Sequence, residues 1–228
     1  MENPIRDASA FLRTLRVVIL PGVKPAANQI ADYESAYAMW KLVWSQTFRE
    51  LDGTEIIYSD EFTRQDEIIC IFQRQVCLAM GVMRWTNYKL PTIREDSYFK
   101  MWPREALEAL GAKGNQVIIC SNLTVHPLGR GNKLGLPLKD VMVGLLVERL
   151  KESGADAMTG TMRADRGMHK TTYQFGATLL APNLVHHNVP VDLVAFFPDQ
   201  MAASQDPVVA SSVEFLWNSK QKKASKAA

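Results

Sequence analysis

The stretch from Gln116 to Leu150 limits the possible folds more than any other part of the chain. Gln116–Val125 (QVIICSNLTV) is an apolar, β-rich run that ends in a glycine-bearing loop. Beyond that loop Leu138, Val141, Met142, Leu145, Leu146 and Leu150 recur on one helical face, with Gly154 placed to end the helix. Strand, glycine loop and long amphipathic helix in that order predict a mixed α/β sheet.

The loop itself, from Val125, reads VHPLGRGNKLGL. Gly129, Gly131 and Gly135 let successive backbone N–H groups converge on one point, and a helix N-terminus adds partial positive charge. Arg130 and Lys133 add full charges. Such a construction suits the diphosphate of coenzyme A or the phosphate of a carrier protein's phosphopantetheine arm. An ordinary strand-to-helix turn that uses glycine for geometry is the other reading of the same residues. Leu136-Pro137, which follow Gly135 where a nucleotide P-loop has Lys-Ser/Thr, argue against that motif.

The remaining elements fit a single domain over residues 1–218. After a leading loop at 21–31, the spacing of Tyr33, Tyr37, Trp40, Trp44, Phe48 and Leu51 predicts a helix from Asp32, closed by Asp52-Gly53. Glu67–Gln73 and Val76–Trp85, separated by Arg74 and Gln75, read as a hairpin, with Gly81 marking a bulge or a close approach. An irregular segment at 86–102 precedes a short helix over 103–110. A strand at 156–161, a helix at 165–174 and strands at 177–182 and 191–197 follow. Residues 219–228 hold four lysines and no large apolar side chain, which predicts a disordered, solvated tail.

Composition closes off several classes. Of the 228 residues, 47% are hydrophobic and 22% charged, the proportions of a globular protein. A net charge of +2 gives no reason to expect nucleic acid. The early apolar run, Val17–Leu20, is too short for a signal-peptide core or a membrane span. Cys70, Cys77 and Cys120 lack CxxC spacing, so neither a disulfide framework nor a zinc site is indicated. Cys70 and Cys120 lie in apolar runs, where a reduced cysteine acts as a small core residue; this fits a reducing cytoplasm.

On these residues the chain resembles a known superfamily. Arg130-Gly131-Asn132-Lys133-Leu134-Gly135 is similar to the acyl-carrier-binding motif of GNAT acyltransferases, commonly RGxGxG, with Val125 and Pro127 at the preceding strand end. Lys133 stands where a middle glycine is usual. The aromatic helix with Trp44 and Phe48, then Asp60-Glu61-Phe62-Thr63 and Gly81-Val82-Met83-Arg84, resembles the layout of acyl-homoserine-lactone autoinducer synthases and N-acyl amino acid synthases. The likeness spans roughly residues 33–180. Thr63 replaces that branch's second Asp, and Ile119 and Asn122 replace a Glu and an Arg on the strand, which argues against a homoserine-lactone synthase using S-adenosylmethionine.

The resemblance implies a GNAT-like fold, a twisted mixed sheet flanked by helices and splayed at the acyl-carrier cleft. The implied activity is N-acyl transfer of a medium or long chain to an amino acid or small amine. The donor would be an acyl-phosphopantetheine thioester on acyl carrier protein or coenzyme A, with no tightly bound cofactor and no metal. A short-chain acetyltransferase using acetyl-CoA and an inactive carrier-binding adaptor are the alternatives. Aminolysis of a thioester needs a neutral amine, an oxyanion donor and a proton for the sulfur. With reference pKa values of about 8 for an α-amine and about 8.5 for a thiol, modest acid-base help suffices.

In GNAT proteins a strand bulge turns a backbone N–H toward the thioester, here at Leu123, Thr124 or Val125. The superfamily often takes its acid from a pattern such as Y-x-x-x-G-F; Tyr173, one residue closer to Gly176 and with Ala177 in place of the aromatic, is the candidate acid, and His126 at the strand end a candidate base. Val125, Gly129, Arg130, Gly131, Asn132, Lys133 and Gly135 are the expected carrier-binding residues. Trp44, Phe48, Asp60 and Arg84 are expected on the substrate side, with Asp60 and Arg84 as electrostatic partners. His169 with Asp165, and the pair His186-His187, are weaker candidates with plain surface roles as the alternative. Arg130, Lys133, Lys139 and Arg149 would present a basic surface to a carrier protein.

Overall fold

A computed structural model describes residues 8–54, 56–132 and 134–220; Lys133 and the tail at 221–228 therefore lie outside the described residues. The elements are α1 (Ala8–Leu12), β1 (Leu15–Pro21), α2 (Ile30–Asp52), α3 (Asp60–Thr63), β2 (Glu67–Gln73), β3 (Val76–Asn87), α4 (Pro91–Arg94), α5 (Ser97–Lys100), α6 (Arg104–Lys113), β4 (Gln116–Val125), α7 (Leu138–Ser153), β5 (Ala157–Arg163), α8 (Met168–Gln174), β6 (Thr178–His186), β7 (Val189–Phe196) and α9 (Pro207–Asn218). Seven strands form one mixed sheet in the order β1-β2-β3-β4-β5-β7-β6. Every neighbouring pair is antiparallel except β4 and β5, which run parallel.

The sheet is covered on both faces. Ile69, Ile71, Ile118 and Met158 pack against α7 and α9, while alternate residues Ile68 and Cys70 meet α2, and Val117 and Ile119 meet α5 and α6. This is the period-2 alternation of a sheet buried on two sides. On α2 the expected aromatic stripe packs as a unit: Tyr33, Tyr37 and Trp40 all ring Phe62 of α3 at centroid distances of 5.3–5.5 Å. Gly53 ends α2 in the left-handed conformation and donates its N–H to the Arg49 carbonyl.

The structure departs from the sequence reading in several places. Leu15–Pro21, which contains the short apolar run Val17–Leu20, is edge strand β1, pairing antiparallel with β2. Residues 86–102 are not irregular throughout: β3 extends to Asn87, and α4 and α5 occupy most of the rest. The helix expected over 165–174 begins only at Met168. α9 was missed, although Asp206 caps it by accepting from the N–H groups of Val208 and Val209, with Pro207 at the first helical position. Because α9 covers its outer side, α7 is buried on more than one face, including Val143, Gly144 and Val147. A Cβ on Gly144 would stand 2.4 Å from Val213 Cγ2, so the glycine permits that close approach. All three cysteines are buried and free. Among the described residues no helix is long and apolar enough to cross a membrane.

Arg149 was expected at a carrier-binding surface. Instead it lies across the sheet: its guanidinium donates to both carboxylate oxygens of the buried Glu67, at 2.6 and 3.0 Å, and stacks 5.0 Å from the Trp85 ring. Removing the guanidinium takes two charged hydrogen bonds from a buried carboxylate. Arg149→Ala should lower the unfolding free energy by about 3 kcal/mol in urea titration. The Glu67→Gln/Arg149→Met double variant should recover a large part of that loss.

Candidate active site

The site is a fork in the sheet. The parallel ladder of β4 and β5 holds for only three pairs, Val117–Ala157, Ile118–Met158 and Ile119–Thr159. Beyond Thr159 the strands part, β4 staying with β3 and β5 with β7. A cavity of about 640 Å³ fills the gap.

A bulge sets the geometry of β4. Met80 faces Thr124 and Val82 faces Ser121, so Asn122 and Leu123 together oppose the single residue Gly81. Asn122 takes φ +50°, a conformation Asn tolerates better than most residues. A Cβ on Gly81 would lie 3.0 Å from the Leu146 side chain, so α7 presses close opposite the bulge. The extra residue inverts side-chain parity along the strand. Ile118 and Cys120 pack on the α7 side before the bulge, and Leu123 and Val125 do so after it.

The cavity therefore has two chemically different walls. On the α7 side it is lined by Cys120, Leu123, Val125, Leu146, Met158 and Phe196; on the other by Ser121, Thr159 and Thr161, with Trp44, Thr47 and Glu50 of α2. It passes between the strands and reaches both faces of the sheet. Arg166 bonds Glu50 at 3.1 Å, and His187 at the β6–β7 turn bonds Asp52 at 2.8 Å, so α2 is tied across the gap.

The glycine loop borders the α7 side. Pro127–Asn132 forms a 3-10 turn interrupted by extended Arg130 and by Gly131 at φ +65°. A Cβ on Gly129 would meet Leu138 Cδ1 at 2.8 Å, which fastens the loop onto the first turn of α7. Among the described residues nothing lies within 4 Å of where a Cβ on Gly131 would stand. Pro137 stands at the N-cap of α7, and among the described residues no side chain caps that N-terminus. Gly129, Arg130, Gly131 and Val125 all line the cavity, as do Pro137, Lys139 and Asp140 at the start of α7. The Arg130 Nε donates to the Val125 carbonyl at 3.1 Å.

Other residues singled out in the sequence stand elsewhere. Thr124 is turned toward α2, where its hydroxyl accepts from Trp44 Nε1 at 3.0 Å and donates to the Asn122 carbonyl at 2.7 Å. Trp44 lines the cavity, but Phe48 does not; it packs against the His187 ring at 5.4 Å. His126 is absent from the lining; its Nδ1 accepts from the Leu128 N–H, and burial, then Arg130, lowers its pKa. Tyr173 is also outside the lining and donates to Asp192 at 3.1 Å; burial and that carboxylate push its pKa up to about 12. Gly135, at φ +76°, lies in the turn before α7 rather than in the cavity wall. The side chain of Asn132 is outside the described residues.

Arg84 does not pair with Asp60. Asp60 is exposed at the start of α3, and Arg84 instead donates to Asp96 at 2.8 Å. Asp165 pairs with Arg163 and precedes α8, while the His169 ring packs 6.0 Å from Tyr173. The sequence reading did not single out Tyr98, whose hydroxyl reaches Thr159 Oγ1 at 3.3 Å behind the polar wall. Burial raises Tyr98 and Cys120 alike to a pKa of about 12. The Cys120 thiol is thus protonated at neutral pH and makes a poor nucleophile. No group of three His, Cys, Asp or Glu among the described residues is arranged to hold a metal.

The Arg84 guanidinium, then the Tyr98 N–H, hold Asp96 below its ordinary carboxylate value, against an opposing push from burial. A carboxylate depressed in the folded state stabilises fully above its unfolded pKa and loses that contribution as pH falls through the folded value. Urea midpoints of the wild type should therefore drop more steeply below about pH 4 than those of Asp96→Asn. Equal slopes would remove Asp96 as a contributor.

No family model matches the sequence, and no curated protein matches it. Solved structures do match in fold. FeeM, an N-acyl amino acid synthase from uncultured soil microbes, superposes with a TM-score of 0.52 at 14% identity, covering 82% of this chain and 94% of its own. The acyl-homoserine-lactone synthase LasI gives 0.52 at 12% identity, covering 92% and 98%. BjaI, a CoA-dependent acyl-homoserine lactone synthase, gives 0.54 at 12% identity, covering 90% and 88%. With its mixed seven-stranded sheet parting between β4 and β5, the chain has the GNAT-like fold shared by these N-acyltransferases.

Proposed function

We propose that the protein is an N-acyltransferase. It moves a medium or long acyl chain from a phosphopantetheine thioester, on acyl carrier protein or coenzyme A, to the amine of an amino acid or small amine. The observation that carries this reading is the two-walled cavity passing through the fork, with a glycine loop and helix N-terminus at one side. The activities of the similarly folded proteins support it.

The donor lies on the α7 side. Its phosphate sits against Gly131, Arg130 and the α7 N-terminus, where backbone dipoles and one guanidinium favour an anion. The arm's amides run along the edge of β4 that β5 has left, in the manner of an added strand. The Leu123 N–H, released from the ladder by the bulge, is the oxyanion donor, worth on the order of 3 kcal/mol in a site closed to water. The acceptor approaches past Ser121, Thr159 and Thr161, whose hydroxyls suit an amine better than a hydrocarbon. With Cys120 protonated, direct aminolysis is favoured over an acyl-cysteine intermediate. The attacking amine gives up a proton as the C–S bond breaks, and the departing thiolate, with a reference pKa of about 8.5, takes one up to leave as the thiol, so little further acid-base help is needed. A volume of about 640 Å³ favours a long chain over acetyl. A carrier protein would dock at the loop, where Leu128 is 65% exposed beside Arg130.

The direct test is incubation with acyl carrier protein and coenzyme A thioesters, from acetyl to myristoyl, with pooled amino acids and amines. An amide product seen by mass spectrometry is expected, and its absence with every donor would end this reading. Arg130→Ala should raise the donor KM about tenfold while kcat changes little, the loss of one charged hydrogen bond.

A further inference from the structure

The apex of the fork is filled by an unusual arrangement of β5. The last ladder residue of this strand, Thr159, is followed by Gly160. The position a Cβ would occupy on Gly160 lies 2.1 Å from Met162 Cε and 3.5 Å from the Cys120 carbonyl oxygen. Met162 therefore folds back along its own strand and lays its methyl group over the glycine, toward the point where β4 and β5 separate. Residues two apart on a strand share a face, so Met162 stands on the same side as Met158, which packs in the α7-side core, and both line the cavity. Gly160 does not line it.

We propose that Met162 is the acyl-chain length gauge and that Gly160 sets its position; this rests on the acyltransfer reading above. The thioether occupies the apolar side of the cavity where a chain extending past the thioester must go. It is unbranched and has several rotatable bonds, so it can retract only as far as its bed allows. That bed is the missing side chain of Gly160. Adding one methyl group there leaves the backbone in place, because the near atom is the end of a flexible side chain. Met162 Cε must then move off the strand and into the space the chain would use.

The two positions are thus expected to act in opposite directions. In the full chain, kcat/KM would be measured for a series of saturated acyl donors with one acceptor, alongside binding of the same acyl-CoA series by calorimetry. Met162→Ala should move the optimum to longer chains and Gly160→Ala to shorter ones, with about a tenfold or greater penalty for each methylene of mismatch. The Gly160→Ala/Met162→Ala double variant should follow Met162→Ala, since no thioether is left to displace. Met162→Leu provides a milder change if the alanine variant folds poorly. An active enzyme whose length profile is the same in both single variants, or is lengthened by Gly160→Ala, would overturn the gauge and leave the acyltransfer reading intact. Acyl-CoA binding without turnover would overturn the activity but still report the gauge through the length dependence of affinity. Neither binding nor turnover of any acyl-CoA or acyl carrier protein thioester would overturn both.

Discussion

Everything in this molecule that points to chemistry depends on the loss of pairing between β4 and β5 beyond Ile119 and Thr159. A sheet interior normally has no unpaired edge, because a buried N–H or C=O without a partner is costly. Here each strand keeps its outer neighbour, β3 or β7, and gives up only the inner one. The result is a sheet that is continuous at one end and open at the other. Its inner edges face a cavity where a ligand can supply the missing partners.

The opening is held by packing on both faces. On the α7 side, Gly81 lets Leu146 press against the strands opposite the bulge, and Gly129 lets the loop lie on Leu138. On the other side, Trp44 bonds Thr124, which in turn bonds the Asn122 carbonyl within the bulge. The same helix reaches Arg166 and His187 through Glu50 and Asp52. α2 therefore braces the bulge at one point and spans the cavity beyond it. This gives the aromatic helix a role in the site that its stripe of packed rings does not reveal.

The cavity's two walls follow from the parity of its strands. Apolar side chains of the strands meet α7 through Leu138, Leu145 and Leu146, which are buried between the sheet and the outer helix α9. Hydroxyl-bearing residues occupy the opposite face of the same strands, backed by Tyr98 and the Arg84–Asp96 pair. One passage thus joins an apolar environment with one lined by hydroxyls.

Much of this was legible in the chain itself. The hairpin of β2 and β3, the strand Gln116–Val125, the helices α2 and α7, and the glycine loop all follow from local periodicity and turn chemistry, which act over a few residues. β1 was not legible, because its partner lies about fifty residues further along and a short apolar run says nothing of pairing. α9 carried a usable signal in Asp206-Pro207 that hydrophobic patterning alone passed over. The aims of individual side chains were beyond reach of the sequence: one extra residue at Asn122–Leu123 decides that Thr124 faces α2 while Val125 faces the cavity. The choice of Asp96 over Asp60 for Arg84 was likewise made by a long-range approach. By itself the sequence determined most of the elements and the place of the glycine loop between β4 and α7, since these depend on near neighbours. The tertiary structure alone decided the fork, the parity of β4 and the fit of Met162 over Gly160, because each depends on how distant segments meet.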